Sequence, residues 1–173
     1  PYIYAQAKDS SARGFPMARP LFFEYPNDPG SWAIEDEYMF GSDLLVAPMF
    51  ASGERRRVYL PPGSWIDYQS GRVYEGASWH DIPAGQIPVV LLVKNHSVLP
   101  HIQVAQSTKD MNWDNVELRV FSTDSTAVNG LFTRPGGDVQ TLSLVPRGRD
   151  FVLRQDPQGG KVKWTIKVQP LSR

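Results

Sequence analysis

The stretch "RPLFFEYPNDP", residues 19–29, decides how this sequence is interpreted. A proline precedes three large apolar residues, and Glu24 follows them before a turn rich in Pro, Asn and Asp. A strand that is apolar on both faces is typical of a parallel sheet covered by helices, because such a strand has no wet face. Pro20 suits the first position of a strand, where a missing N–H costs little. The stretch therefore predicts a buried strand of an α/β unit, with Glu24 at its carboxyl end.

Two helices are predicted on either side of this strand. The opening residues indicate a helix that ends at Gly14, which suits a left-handed cap. Residues 31–40 carry acids in the early turns and precede Gly41, a pattern that indicates a second helix. Helix, strand and helix in succession are typical of α/β architecture. Because Pro1 already lies within a helical pattern, we expect the chain to be a piece of a longer protein.

The rest of the chain has the pattern of β-structure. Short apolar strands and turn residues alternate at intervals of roughly 8 to 12 residues, which is typical of antiparallel sandwiches. In the last strand Val162, Trp164, Ile166 and Val168 share one face, and residues 103–115 are the best candidate linker. We therefore predict a mainly β fold with three parts: an α/β piece at 1–43 and two β-modules, at 44–102 and 103–173.

Composition excludes several functional classes. The chain has 18 basic and 18 acidic residues, so its net charge is zero, and Arg55–Arg57 is its longest basic run. This balance gives no electrostatic footprint for nucleic acid or an anionic membrane surface. The absence of cysteine excludes disulfides and thiolate metal sites, and no apolar run approaches the roughly 20 residues of a membrane helix. Since a chain without cysteine can occur in any compartment, the composition predicts no cellular location.

Four segments, in this order, resemble the C-terminal part of glycoside hydrolase family 31. They are "PYIYAQAKDSSARGFPMARPLFFEYPNDPG", "EDEYMFGSDLLVAPMF", "RRVYLPPGSWIDYQSGRVYEG" and "IPVVLLVKNHSVLP". The resemblance is strong over residues 1–100 and weaker to about residue 121. It implies that residues 1–43 contain the last helix and strand of a (β/α)₈ catalytic barrel. Two antiparallel β-sandwich domains would follow, a proximal one at 44–102 and a distal one at 103–173.

The resemblance also implies an activity. The family consists of retaining glycosidases, in which two carboxyl groups about 5 Å apart flank the scissile bond. "YPNDPG" and "NWDNVELRVF" look most like the α-xylosidase branch, with the α-glucosidases as the close competitor. The implied partners are the rest of the catalytic barrel and, through the parent enzyme, an oligosaccharide. Assembly into a homo-oligomer is a further expectation.

The catalytic carboxylates of the family are not expected within this chain. The family nucleophile lies in a Trp-x-Asp-Met-Asn-Glu motif, and the tripeptide at 110–112 matches only its centre. Thr108 stands where the motif has Trp, Trp113 stands where it has Glu, and the tripeptide lies in the polar linker. We therefore expect both catalytic Asp residues to precede Pro1 and the chain to be inactive alone.

Four residues could line the rim of the parent active site because the carboxyl ends of barrel strands face that site. They are Glu24, Tyr25, Asn27 and Asp28. A structural interpretation is favoured over this one: Glu24 pairs with a cation such as Arg19, and Asn27 and Asp28 cap the next helix.

No cofactor or metal is expected. His80, His96 and His101 do not have the spacing of metal ligands. The Gly-Gly pairs at 136–137 and 159–160 lack a following helix and lysine, so they indicate turns rather than a phosphate loop.

Aromatic residues support a second hypothesis, an autonomous carbohydrate-binding module, since exposed aromatic side chains can stack on sugar rings. The candidates are Trp65, Tyr68, Tyr74 and Trp79 in the first sandwich, with Trp113 and Trp164 in the second. Core packing is favoured for Trp164, and core or inter-domain packing for Trp65 and Trp79. A structural β-protein unrelated to sugars is the third hypothesis.

Overall fold

The computed structural model describes residues 1–172, which form two helices, two short 3₁₀ helices and a series of strands. The helices are α1 (Tyr2–Arg13) and α2 (Leu21–Glu24), and the 3₁₀ helices are Pro29–Ala33 and Thr108–Asp110. The strands are β1 (Ala18–Pro20), β2 (Tyr38–Phe40), β3 (Leu44–Pro48), β4 (Arg55–Leu60), β5 (Ser64–Asp67), β6 (Val73–Glu75), β7 (Ser78–Pro83), β8 (Val89–Lys94), β9 (Ser97–His101), β10 (Asn115–Phe121), β11 (Val128–Phe132), β12 (Gln140–Arg147), β13 (Asp150–Leu153) and β14 (Lys163–Val168).

The chain divides into two compact units. One contains residues 15–95 with 170–172, and the other contains residues 1–14 with 96–169. The helix α1 thus groups with the later strands, although it precedes the first unit in sequence. The predicted bounds of 1–43, 44–102 and 103–173 stay a prediction about the parent protein.

The unit of residues 15–95 is an antiparallel sandwich of unequal layers. Its large sheet has the strand order β1-β2-β3-β8-β5-β6, and its small sheet is the pair β4-β7. Alternation along the strands points Leu45, Val58 and Leu92 into one core between the layers. The predicted β-sandwich is confirmed for this part of the chain.

The predicted barrel strand at Leu21–Phe23 is wrong. The strand β1 ends at Pro20, and Leu21–Glu24 forms the helix α2. A proline is compatible with a helix start because its missing N–H has no partner there, and a short apolar run cannot by itself distinguish strand from helix. Only Leu21 is buried, whereas Phe22 and Phe23 are exposed. The apolar run therefore combines one core residue with two surface aromatics.

The predicted helix at residues 31–40 is also wrong. A 3₁₀ helix ends at Ala33, Ile34 has an extended backbone, and Tyr38–Phe40 forms β2 between β1 and β3. Asp28 does cap a helix start, but pairing with β3 overrides the helical preference of the acidic residues that follow.

The unit of residues 1–14 and 96–169 is built on one mixed sheet. Its strand order is β13-β12-β11-β9-β10-β14, with β10 and β14 parallel. The edge strands β13 and β14 also contact each other, so the sheet curls around its core. The expectation of a second antiparallel sandwich is therefore wrong for the described residues. The strands β13 and β14 stand at opposite ends of the strand order, but the curl brings them close together. The short segment of residues 154–162 is therefore long enough to connect them.

The helix α1 and the last strand are as predicted within this unit. The helix ends at Gly14, which has φ 71°, and packs on β9 and β11. Val162, Trp164, Ile166 and Val168 all lie against the core.

Within residues 1–172, no helix has the length and apolar character that crossing a membrane requires.

Candidate functional site

The first predicted rim residue, Glu24, is held by a buried arginine. The guanidinium of Arg19 forms an ion pair with the Glu24 carboxylate, and its Nε donates to the Pro16 carbonyl at 2.7 Å. Arg19 is 2% exposed, and burial of a charged guanidinium is costly unless a carboxylate is paired with it. Glu24 therefore neutralises a buried cation, as the structural interpretation expects.

Asp28, another of the predicted rim residues, organises the turn before the 3₁₀ helix. Its carboxylate accepts hydrogen bonds from the Gly30 N–H at 3.2 Å, the Ser31 hydroxyl at 2.7 Å and the Tyr59 hydroxyl at 2.9 Å. Burial, together with the hydrogen bond to Asp28, raises the pKa of Tyr59 to about 12. Asp28 thus caps the helix start and anchors it to strand β4.

Tyr25 and Asn27 complete the predicted rim. The Tyr25 ring packs against Trp65 at a centroid distance of 6.3 Å, and the Lys94 ammonium lies 5.9 Å from its centroid. Burial raises the pKa of Tyr25 above its ordinary value, and the nearby Glu24 and Asp43 raise it further. Asn27 is exposed. Three of the four residues therefore have structural contacts, and their position at an active-site rim stays a prediction.

The remaining candidate acids and histidines are dispersed. Asp110 lies in the exposed 3₁₀ helix Thr108–Asp110 and accepts the Ser107 hydroxyl at 2.8 Å. His96 contacts Asp124 at 3.0 Å, and His101 contacts the Leu99 carbonyl. His80 lies beside the Ser78 hydroxyl and the Glu75 carbonyl. No group of three or more His, Asp or Glu side chains suited to a metal occurs within residues 1–172.

Two tryptophans occupy the cores, as expected. Trp65 is 1% exposed and donates its indole N–H to the Pro61 carbonyl at 2.9 Å. Trp164 packs edge-on against Phe132 at 5.0 Å and donates to Asp156 at 2.9 Å. Their rings face protein, so neither is a platform for a ligand.

Trp79 differs, because 47% of its surface is exposed. Core packing, one of the two expected alternatives, is therefore wrong for this residue, whereas inter-domain packing stays a prediction. In the strand β7 Ile82 points into the core, so Trp79 and Asp81 point outward. The guanidinium of Arg57 lies 5.0 Å from the Trp79 ring centroid, and Tyr59 meets the ring edge-on at 5.5 Å.

A cavity of about 260 Å³ lies beside the arginine run of β4. Its lining includes Asp36, Phe50 and Ser52, together with Arg55, Arg56 and Arg57. Arg57 therefore lies next to both the Trp79 ring and this cavity.

A second group of exposed aromatics surrounds α2. Trp32 stacks on Phe22 at a centroid distance of 5.1 Å and an interplanar angle of 18°, and 61% of its surface is exposed. Its indole N–H donates to the Pro26 carbonyl at 3.0 Å, which fixes the ring. Phe23 follows Phe22 in α2, and its ring meets Phe15 edge-on. We call Phe22, Phe23 and Trp32 the aromatic patch.

Glu37 is a buried carboxyl group with one unsatisfied oxygen. Its Oε1 accepts the Tyr59 backbone N–H at 2.9 Å and lies 3.8 Å from Arg56, whereas Oε2 has no hydrogen-bond partner among residues 1–172. Burial raises the pKa of Glu37 to about 7, although Arg56 acts in the opposite direction.

Sequence reasoning missed Trp32, Glu37 and the role of Arg57. Trp32 and Glu37 lie in the segment that was predicted as a helix, so their surroundings could not be inferred. Part of the signal for Arg57 was present in the period-two alternation of "RRRVYL" and "SWHDIP". The pairing of β4 with β7, which puts Arg57 and Trp79 on one face, joins strands that are not consecutive in the sequence.

Comparison with known proteins places this architecture in a family. The model of the glycosyl hydrolase family 31 C-terminal domain matches residues 14–99. The match covers all of residues 15–95 of the sandwich unit but not its terminal segment, and it extends through strand β9 to Leu99.

Several curated relatives carry the same segment. An isomaltosyltransferase of Sporosarcina globispora is 41% identical over 83% of this chain and 14% of its own length. Alpha-glucosidase 2 of Bacillus thermoamyloliquefaciens is 36% identical over 63% of this chain and 14% of its own length. An alpha-xylosidase of Emericella nidulans is 32% identical over 69% of this chain and 16% of its own length. The chain thus spans about one sixth or less of the length of these relatives.

A solved structure supports the fold over almost the whole chain. The dextranase of Flavobacterium johnsoniae, in complex with isomaltotriose, aligns with 99% of this chain and 24% of its own, at a TM-score of 0.79 and 22% identity. The family match, the curated relatives and this shared fold agree. The chain belongs to glycosyl hydrolase family 31, and residues 14–99 are its C-terminal domain.

Proposed function

We propose that the chain is the C-terminal part of a retaining α-glycosidase whose two catalytic carboxylates lie outside these 173 residues. The observation that carries the proposal is the family match over residues 14–99. Two observations agree with inactivity of the chain alone. Asp110 lacks the sequence of the family motif around it, and the Glu24 carboxylate is engaged with Arg19 rather than available for acid or base chemistry.

The substrate class that we propose is an α-linked glucosyl or xylosyl oligosaccharide. The alpha-glucosidase relative is slightly more similar to this chain than the alpha-xylosidase relative, so similarity does not favour the α-xylosidase branch. The isomaltosyltransferase adds glycosyl transfer as a second candidate, because it combines the highest identity of the three with the longest match. In a retaining mechanism the choice between the two reactions depends on whether water or a sugar hydroxyl accepts the glycosyl group.

We further propose that the aromatic patch is the surface on which the catalytic barrel packs. Phe22 and Trp32 present a fixed, stacked pair to solvent, and Phe23 extends it. Contiguous exposed aromatics of this kind mark interaction sites, since a soluble domain rarely leaves them uncovered. In this proposal α2 and the 3₁₀ helix at Pro29–Ala33 connect the sandwich to the barrel.

The test uses two proteins, the 173-residue chain and the longest reading frame that contains it. Both are assayed with p-nitrophenyl α-xyloside and p-nitrophenyl α-glucoside, and the anomeric configuration of the released sugar is followed by NMR. We expect no turnover by the chain and hydrolysis with retention by the longer protein. Replacing the Asp of a Trp-x-Asp-Met-Asn-Glu motif in the longer protein is the matched control. Turnover by the 173-residue chain, or inversion by the longer protein, would contradict the proposal.

The carbohydrate-binding alternative concerns this same chain and requires an exposed platform. Trp65 and Trp164 are unsuited to that role because they are packed in the cores. Of the other candidates from the sequence, Tyr74 is buried, Tyr68 and Trp113 are half-buried, and Trp79 is exposed.

A further inference from the structure

The small sheet of the sandwich presents an outward face with its own chemistry. Strands β4 and β7, here called the ribbon, pair so that Arg57 lies opposite Asp81 and Tyr59 opposite Trp79. Side chains that lie opposite or diagonal on one face of an antiparallel pair are close enough to interact. The ribbon therefore places a guanidinium over an exposed indole ring, with a carboxylate on the same surface.

The charges on this face are unequally compensated. Arg55 donates to the Asp81 carboxylate at 2.6 Å. Arg57 has only its contact with Trp79, and no hydrogen bond or ion pair of its guanidinium is formed within residues 1–172. A guanidinium carries five N–H donors in a fixed plane, so Arg57 offers unused donors beside an exposed aromatic ring.

The ribbon borders a space large enough for a ligand. The cavity of about 260 Å³ includes Arg57 in its lining, with Phe50 and Asp36 among the other residues that surround it. The phenyl ring of Phe50 lies against Arg56, so the cavity also has an aromatic wall. A ligand on Trp79 could therefore extend past Arg57 into this cavity.

We infer that Trp79 and Arg57 form a binding site for a pyranose unit of an α-linked oligosaccharide. A pyranose ring has one apolar face of C–H groups, which suits stacking on an exposed indole, and a rim of hydroxyls. Arg57 can donate to those hydroxyls, and the Asp81 oxygen that Arg55 leaves free can accept from them. The choice of an α-linked glycan rests on the proposed function, whereas the site itself rests on the ribbon.

The test measures binding without catalysis. The 173-residue chain, ¹⁵N-labelled, is titrated with isomaltotriose, and the indole N–H signal of Trp79 is assigned through the variant Trp79→Phe. Sorbitol is the control ligand because it has the hydroxyls without a ring face. We expect saturable shifts of the Trp79 signal with a dissociation constant of about 1 mM, and none with sorbitol.

Variants then assign the contacts. We expect Trp79→Ala to weaken binding by about tenfold, because it removes the stacking surface. Arg57→Ala should also weaken binding by about tenfold, through the loss of charge-assisted hydrogen bonds. The matched control Trp32→Ala, an exposed tryptophan outside the ribbon, should leave the dissociation constant unchanged within about twofold. A urea unfolding curve, measured for each variant, shows whether that variant is folded.

Three results would overturn the inference. They are the absence of saturation up to about 20 mM isomaltotriose, unchanged binding in the folded variant Trp79→Ala, and equal shifts with sorbitol. Because no turnover is measured, failure of this test leaves the proposed glycosidase intact. Binding by the chain combined with an inactive longer protein would instead contradict only the proposed function.

Discussion

The Glu37 carboxylate accepts the backbone N–H of Tyr59 at 2.9 Å and thereby occupies the free edge of β4. An edge strand leaves N–H groups without partners, and here a side chain from the segment before β2 supplies one acceptor. The same contact buries a carboxyl group whose second oxygen has no partner among residues 1–172. Burial is unfavourable to its charged form, which gives the contact a pH dependence.

We predict that Glu37 makes the sandwich less stable as the pH rises from about 5 to about 7. The pKa of Glu37 is raised from 4.5 to about 7 in the folded chain. The folded state therefore holds this proton more tightly than the unfolded chain, so folding takes up a proton and the free energy of unfolding falls with pH in this window. The contribution of this one group amounts to about 2 to 3 kcal/mol.

Urea unfolding at several pH values between 5 and 8 tests this prediction. Glu37→Gln keeps an oxygen acceptor for Tyr59 but cannot titrate, so its unfolding free energy should lack this decrease. The exposed neighbour Glu35 provides the control, since Glu35→Gln should keep the decrease. Identical pH dependence in the wild type and Glu37→Gln would show that the buried carboxyl does not titrate in this range.

A second prediction concerns the bond between Asp28 and the Tyr59 hydroxyl. Both oxygens of Asp28 lie 2.9 Å from that hydroxyl, which links the capped 3₁₀ helix to β4. A double-mutant cycle of Asp28→Ala and Tyr59→Phe should give a coupling of about 1 to 2 kcal/mol in the free energy of unfolding. Ser31→Ala, which removes a different donor to Asp28, serves as the comparison. Additive effects of the first pair would mean that the bond contributes nothing to stability.

A third prediction concerns Gly30, which lies directly over the Tyr59 ring. A Cβ atom at Gly30 would approach the Tyr59 hydroxyl oxygen to 2.2 Å. The ring is buried and its hydroxyl is bonded to Asp28, so it cannot move away without breaking that bond. Gly30→Ala should therefore lower the free energy of unfolding by about 2 to 3 kcal/mol.

The control for Gly30 is Gly137, where the nearest atom to an added Cβ, the Arg134 carbonyl oxygen, lies at 3.5 Å. Gly137→Ala should change the free energy of unfolding by less than about 1 kcal/mol. Thermal or urea unfolding of both variants provides the measurement. Equal stability of the two variants would contradict the close approach of Gly30 to Tyr59.

The sequence predicted the elements whose patterns have a single physical interpretation. Alternation identified the strands of the sandwich and the inward face of β14, and Gly14 identified the end of α1. The segment between α1 and β3 could not be predicted in this way. Its apolar run suits either a buried strand or a helical turn, and its acids suit either a helix start or a buried contact such as that of Glu37.

The candidate site was predictable only in part, for the same reason. Trp79 was a candidate from its residue type, but its exposure depends on which face of β7 meets the large sheet. Ile82 packs in the core and so determines which face of β7 is buried. This contact joins distant parts of the chain, so the pattern of β7 alone does not predict it. Arg19 and Glu24, in contrast, are close in sequence and of opposite charge, so their ion pair was anticipated.

The last prediction is self-association of the 173-residue chain through the aromatic patch. Phe22 and Trp32 are 37% and 61% exposed and stacked, so a second copy could cover them and remove apolar surface from water. We expect light scattering to show a mass that rises with concentration from 19.4 kDa towards twice that value. The double variant Phe22→Ser/Trp32→Ser should stay at the lower mass at every concentration. Ile87→Ser, which removes another exposed apolar side chain of the same unit, should associate like the wild type. A wild-type chain of constant 19.4 kDa mass would mean that the stacked pair is stable in water without a covering partner.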